Sequence, residues 1–232
     1  MNGEALRRIG WIIGRMHDEA SIRNAPVYLA EERTSGDPFR ILVFTMLSAR
    51  TRDETTIRIV ERLFSVADTP AKIRALGSKK LEKLLFGVGF YRVKAGHLLE
   101  ACRMIEEKGH VPDTREELLA LPGIGRKTAN IVLARAFSKN ALGVDVHVHR
   151  ISNRLGLVRT KKPQETERAL MRIIPRKHLR TLNRSFVAFG QTVCKPLRPM
   201  CGSCPLNQVC FRAGVKEPCG PCRYGQSRAG KR

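Results

Sequence analysis

Apolar residues recur every three or four positions along nearly the whole chain, and this spacing is the strongest constraint on its fold. Three stripes show it: Leu6, Ile9, Ile13 and Met16; Leu98, Cys102 and Ile105; and Val144, Val148, Ile151 and Leu155. Such spacing puts the apolar side chains on one face of an α-helix. Glycine and proline breaks separate the periodic segments. We therefore predict an all-α protein of about ten short helices.

One segment is ambiguous by periodicity. Residues 41–47 are almost entirely apolar, which fits either a buried strand or a buried helix. Asp37 and Pro38 precede the segment and are typical of a helix start, and the segment continues through Ser48 and Ala49. We therefore predict a buried helix here.

Charge points to the class of partner. The 43 lysines and arginines outnumber the 21 acidic residues and give a formal net charge of +22. A basic surface attracts polyanions because each neutralised phosphate releases counterions, so nucleic acid is the favoured partner. Solubility or a general attraction to acidic surfaces is the alternative.

The chain has no apolar run long enough to cross a membrane and no signal-peptide pattern, so we expect a cytoplasmic protein.

The stretch LPGIGRKTAN, residues 121–130, combines a tight turn with basic residues. Gly123 and Gly125 tolerate conformations and close approaches that other residues do not. The next helix is expected to begin near Gly125, and its first backbone N–H groups, beside Arg126, form a seat for a phosphate. A plain turn between two helices, with solvated basic residues, is the alternative.

Four cysteines near the C-terminus have the spacing C-x6-C-x2-C-x5-C: Cys194, Cys201, Cys204 and Cys210. Prolines interrupt this segment, so bound ligands and not an apolar core must order it. Four thiolates suit either zinc or an iron–sulfur cluster, and ligand chemistry does not decide between them.

Together these motifs resemble one known family. Residues 121–134 resemble the helix-hairpin-helix signature of the DNA glycosylase superfamily, and most closely that of its endonuclease III branch. That branch has a lysine at the position of Lys127, an aspartate eighteen residues later, as at Asp145, and the same cysteine spacing. The similarity extends from about Pro38 to Cys210.

The resemblance implies specific chemistry. Lys127 would attack the sugar C1′, expel the base and form a Schiff base from which elimination cuts the strand. Asp145 would be its catalytic partner, although an aspartate at the start of an apolar stripe is commonly only a helix N-cap. His147 and His149 are interpreted as structural residues or phosphate contacts. The four cysteines would hold a structural [4Fe-4S] cluster, with zinc as the alternative.

The resemblance also assigns two loops, 47–51 and 87–91, to filling the gap left by an extruded nucleotide. The chain departs from the family in both. Arg50 stands where the family usually has glutamine and could favour an opposite guanine. Phe90 stands where leucine is frequent and would act as a wedge, unless it packs against a neighbouring helix. Lys195 and Arg198, within the first cysteine gap, are expected to contact phosphate.

The resemblance implies a two-lobed helical glycosylase fold with a C-terminal iron–sulfur loop. We predict a helical domain over residues 32–139, a second domain from residues 1–31 and 140–215, and a basic tail over 216–232. The tail contains Cys219 and Cys222, to which no role is assigned. The expected function is excision of oxidised pyrimidines from double-stranded DNA with cleavage at abasic sites, by a monomer. A monofunctional glycosylase using water activated by Asp145 and a non-catalytic DNA-binding protein are the alternatives.

Overall fold

The structure is a computed structural model, and it describes residues 1–215; the predicted tail with Cys219 and Cys222 lies outside the described residues. Within residues 1–215 there are twelve α-helices and no strand, which confirms the all-α prediction. The helices are α1 (Gly3–Arg7), α2 (Ile9–Ile22), α3 (Pro26–Thr34), α4 (Pro38–Ser48), α5 (Asp53–Phe64), α6 (Pro70–Leu85), α7 (Tyr91–Lys108), α8 (Arg115–Ala120), α9 (Arg126–Ala136), α10 (Val146–Leu155), α11 (Pro163–Ile173) and α12 (Arg176–Thr192). None of the helices in this span is both long and apolar enough to cross a lipid bilayer.

The chain divides into two compact units. One unit comprises Leu29–Gly143, and the other comprises Met1–Tyr28 together with the described residues from Val144 to 215. Each unit has its own packing and is described separately below.

The Leu29–Gly143 unit is built around α4. Every residue of α4 from Ile41 to Leu47 is buried, so the ambiguous apolar segment is a central helix. Asp37 caps α4 by accepting a hydrogen bond from the Arg40 backbone N–H at 2.8 Å, and Pro38 occupies its first position. Helices α5, α7 and α9 pack around α4, and α6 packs along α7.

The other unit is built around α12, which packs against α2 and α10. Phe186 and Phe189 of α12 are fully buried at its centre. Asn2 connects three parts of this unit: its side chain caps α1, and its amide donates to the carbonyl of Leu155 at 2.9 Å and to that of Val209 at 2.8 Å. The N-terminus, the end of α10 and the cysteine-rich segment are therefore held together by one buried side chain.

Candidate active site and nucleic-acid interface

The turn predicted at 121–125 joins α8 and α9 as a helix hairpin. Gly123 has a left-handed backbone with φ of +76°, and a Cβ atom there would lie 2.6 Å from Nδ1 of His97 on α7. Gly123 is therefore required both for its conformation and for space. Gly125 is the N-cap of α9 with φ of −100°, and a Cβ atom there would have no neighbour within 4 Å. The turn thus rests on α7 at Gly123 and is open at Gly125.

The start of α9 is where the sequence predicts a phosphate seat. No side chain caps α9, so its first N–H groups are not satisfied by an N-cap side chain. Gly125 and Arg126 are exposed at this end, where the helix dipole is positive. The arrangement suits a phosphate oxygen, which would approach the backbone at Gly125 without meeting a side chain.

Lys127 is the second residue of α9 and is half-buried. The chain returns over this first turn at Gly143, where a Cβ atom would lie 2.3 Å from Cγ1 of Ile131 and 3.2 Å from the carbonyl oxygen of Lys127. Asn130, fully buried on α9, donates to the carbonyl of Leu142 at 3.0 Å and accepts from Nε of Arg115 at 3.2 Å. Leu142 and Gly143 are thereby fixed against α9.

Asp145 is the N-cap of α10, as its place in the sequence predicted. Its Oδ1 accepts from the backbone N–H groups of His147 and Val148, both at 2.9 Å. Both capping bonds fall on Oδ1, so Oδ2 is outside the cap.

The two histidines of α10 have structural contacts. His147 packs against Gly190 of α12, where a Cβ atom would lie 2.3 Å from its Nδ1. Nδ1 of His149 is hydrogen-bonded to the hydroxyl of Thr166 at 2.6 Å. Arg150 donates to the carbonyls of Gly190 and Cys194, and its burial lowers the pKa of its guanidinium while attraction to Cys194 and to Asp145 acts in the opposite direction.

The four cysteines predicted as ligands border one cavity in the segment after α12. None of the four forms a disulfide bond among the described residues. The pKa of Cys204 is raised to about 12 and that of Cys210 to about 11, chiefly by burial, and the neighbouring cysteines act in the same direction. Cys204 and Cys210 are therefore shielded from water and lie close to the other two cysteines.

Arg154 of α10 anchors the cysteine-containing segment through hydrogen bonds. It is buried, and its guanidinium donates to Sγ of Cys194 at 3.3 Å, to the carbonyl of Lys195 at 2.8 Å and to that of Pro196 at 2.7 Å. The side chains of Lys195 and Arg198 are exposed on the same segment. The backbone is therefore fixed while its two basic side chains face solvent.

Arg50 and Phe90 stand together at the edge of the Leu29–Gly143 unit. Both have left-handed backbones, with φ of 55° and 58°, and the Arg50 guanidinium carbon lies 5.5 Å from the centre of the Phe90 ring. Phe90 is 62% exposed, so the alternative in which it packs against a neighbouring helix is wrong. An exposed aromatic ring beside a cation is suited to stacking on bases.

Three site residues escaped the sequence analysis: Lys94, Asn130 and Arg154. Each is a polar or charged residue within an apolar helical stripe, which is the signal that could have revealed them. Arg154, for example, lies between the apolar positions Ile151 and Leu155. The identity of their partners gave no signal, because all three donate to backbone carbonyls far away in the sequence.

A family model and a protein of known sequence both match most of the helical part of this chain. The family model described as HhH-GPD superfamily base excision DNA repair protein matches residues 43–176, more than half of the chain. Endonuclease III of Thermotoga maritima is 50% identical over 176 residues, which cover 75% of this chain and 83% of that protein.

Two solved structures of endonuclease III with DNA are also similar to this chain. A non-covalent endonuclease III–DNA complex is similar with a TM-score of 0.72 and 38% identity, over 76% of this chain and 84% of that chain. A trapped endonuclease III–DNA covalent intermediate has a TM-score of 0.72 and 36% identity, over 83% of this chain and 95% of that chain.

The hairpin geometry predicts unequal tolerance of its two glycines. Gly123→Ala should lower the free energy of unfolding by about 1–3 kcal/mol, because it adds left-handed strain and a clash with His97. Gly125→Ala, the matched control, should cost less than about 1 kcal/mol, since only its capping preference changes. Urea unfolding measures both. Adding His97→Ala to Gly123→Ala should recover part of the loss, and equal stability of the two single variants would contradict this account.

Proposed function

The chain belongs to the endonuclease III family within the HhH-GPD superfamily of base excision DNA repair proteins, and from this premise we propose how its residues divide the work. It is a DNA glycosylase and abasic-site lyase that acts on double-stranded DNA. The observation that carries the assignment of roles is the position of Lys127 in the first turn of α9, directly after an open, glycine-lined turn. We propose that the damaged bases it removes are oxidised pyrimidines.

Lys127 is the proposed nucleophile. Its neutral Nζ forms a bond to C1′ of the damaged nucleotide while the bond from C1′ to the base breaks, and the base leaves with the electron pair and takes up a proton. The resulting amine loses a proton and opens the sugar to give a Schiff base. Removal of a proton from C2′ then breaks the bond between C3′ and its oxygen, so the phosphate leaves and the strand is cut.

Asp145 is the proposed catalytic partner. A carboxylate stabilises positive charge that develops on the sugar as the base departs. Because Oδ1 is engaged by two backbone N–H groups, its orientation is fixed, and Oδ2 is the oxygen that we assign to the reaction. Asp145 thus caps α10 and takes part in the chemistry through different atoms.

The DNA contacts divide into two kinds. Contacts to phosphate position the duplex without reading its sequence, and we assign them to the start of α9, Arg126, Lys195 and Arg198. Contacts inside the duplex replace the extruded nucleotide, and we assign these to Phe90 as the wedge and Arg50 as the group facing the opposite base. The guanidinium of Arg50 matches the acceptors of guanine, so we propose a preference for lesions opposite guanine.

The cysteine segment fits a [4Fe-4S] cluster held by Cys194, Cys201, Cys204 and Cys210. Within residues 1–215, no group of three or more His, Cys, Asp or Glu side chains lies in an arrangement that could hold a metal ion, so the proposal rests on the cysteine spacing and on the shared cavity. Four cysteines that border one cavity and have this spacing would, as thiolates, hold such a cluster. N–H donors to sulfur from Arg154 and the Arg212 backbone are typical of such ligands. When bound, the cluster supplies a cross-link that orders the segment.

Borohydride trapping tests the role of Lys127. On a duplex containing thymine glycol, the wild type should form a covalent adduct that Lys127→Ala loses entirely, because the Schiff base needs the amine. Lys79→Ala, which removes an exposed lysine of α6, is the control and should trap as the wild type does. Base release by the wild type without any adduct would instead indicate a monofunctional glycosylase using water.

Two substitutions separate the roles of Asp145. Asp145→Asn should keep the cap, since asparagine is a good N-cap, but lower single-turnover excision by about 10²- to 10⁴-fold. Asp145→Ala should lose activity similarly and also about 1 kcal/mol of stability in urea unfolding. Full activity of Asp145→Asn would show that the residue is only a cap.

Metal analysis tests the cysteine segment. The purified wild type should contain iron and acid-labile sulfide, about four of each per chain. Cys204→Ser should lose most of both, because a ligand is removed, whereas Cys102→Ala, at a buried position on α7, should retain them. Zinc without sulfide in the wild type would overturn the assignment.

A further inference from the structure

Lys94 joins the two loops that carry Arg50 and Phe90. It lies one turn into α7, four residues after Phe90, and its ammonium donates to the carbonyls of Leu47 at 2.8 Å and Ala49 at 2.5 Å. These carbonyls belong to the end of α4 and to the residue just before Arg50. The last carbonyls of a helix have no partner within it, so Lys94 satisfies them and complements the negative end of the helix dipole.

Two further contacts fasten the loops to each other. The backbone N–H of Gly89 donates to the hydroxyl of Thr51 at 3.1 Å. A Cβ atom at Gly89 would lie 2.7 Å from the carbonyl oxygen of Arg50, so only glycine permits this close approach. The close approach of Gly89 and the hydrogen bonds from Lys94 therefore both hold the backbone around Arg50.

This arrangement is costly for folding. A half-buried ammonium loses solvation, and burial lowers the pKa of Lys94 to about 8. Arg50 and Phe90 both adopt left-handed backbones, which residues with side chains rarely do. Strain of this kind persists where surrounding contacts enforce it, and it concentrates at functional sites. An apolar residue at position 94 would fill the same space without desolvating a charge.

We propose that Lys94 is a positioning residue that holds Arg50 and Phe90 as one preassembled pair, so that both side chains enter the duplex together when the damaged nucleotide leaves the stack. This proposal rests on the proposed function and deepens it. Preassembly matters because inserting two ordered side chains requires less ordering during binding than inserting two mobile ones. Lys94 acts on the duplex only through Arg50 and Phe90.

The same helix also sets the distance from this pair to the hairpin. Lys94 and His97 are spaced by three residues, so they share one side of α7, and Phe90 is the N-cap of the same helix. His97 supports the hairpin at Gly123, while Lys94 supports the loop of Arg50. One rigid helix therefore fixes the inserted pair relative to the phosphate seat at α9.

Lys94→Met tests the proposal because it keeps the apolar stem and removes the donors. Three assays are compared with the wild type: single-turnover excision of thymine glycol opposite guanine and opposite adenine, fluorescence of a 2-aminopurine next to the lesion, and borohydride trapping on a duplex with an abasic site. The control is Lys80→Met, at an exposed position of α6.

We expect excision by Lys94→Met to fall by roughly 10- to 100-fold, with a loss of the 2-aminopurine signal and a smaller ratio between the two opposite bases. Trapping at the abasic site, which has no base to extrude, should stay within about twofold of the wild type. Excision and base ratio equal to the wild type would overturn the proposal. Absence of trapping by the wild type itself would instead refute the proposed function.

A double-mutant cycle distinguishes positioning from general stabilisation. If Lys94 acts through the pair, Lys94→Met should add no further loss of excision in a chain that carries Arg50→Ala and Phe90→Ala. An additive loss would overturn the proposal.

Should Lys94→Met fail to fold, Lys94→Arg is the second variant. It retains the charge and the donors in a longer side chain, and it should change the ratio of excision between the two opposite bases. An unchanged ratio would count against a positioning role.

Discussion

The close contact between Gly123 and His97 fixes the part of the molecule on which the chemistry depends. Because Gly123 has no Cβ, the hairpin turn packs directly against the imidazole ring of His97 on α7. The chain then enters α9 with no hydrogen bond from an N-cap side chain and with Lys127 in the first turn. The phosphate seat and the lysine belong to one helix, so any shift of the turn would move both together. In the proposed mechanism, the contact of the Gly123 backbone with His97 therefore orients Lys127.

Features determined by neighbouring residues could be predicted from the sequence. The start of α4, the start of α9 near Gly125 and the capping role of Asp145 depend on residues within about one helical turn, and the structure agrees with each. The packing of Phe90 depends on how two distant loops meet. The sequence therefore left that packing open, and the structure shows an exposed ring.

The residues that the sequence analysis missed share one property. Lys94, Asn130 and Arg154 donate to carbonyls of Ala49, Leu142, Lys195 and other residues that precede or follow functional side chains. Every residue type carries the same carbonyl, so the acceptor leaves no trace in the sequence. A polar residue within an apolar stripe shows that a donor exists, and only the structure shows what it holds.

These donors also change how the net charge of +22 is interpreted. A non-helical loop must satisfy its carbonyls, and this chain uses cations for that purpose at the loops of Arg50 and Cys194. A cation engaged in this way is partly buried and releases few counterions from DNA. The exposed side chains of Arg126, Lys195 and Arg198 are better placed to do so. Part of the basic composition therefore stabilises the loops, and the salt dependence of DNA binding should follow the exposed cations and not the total charge.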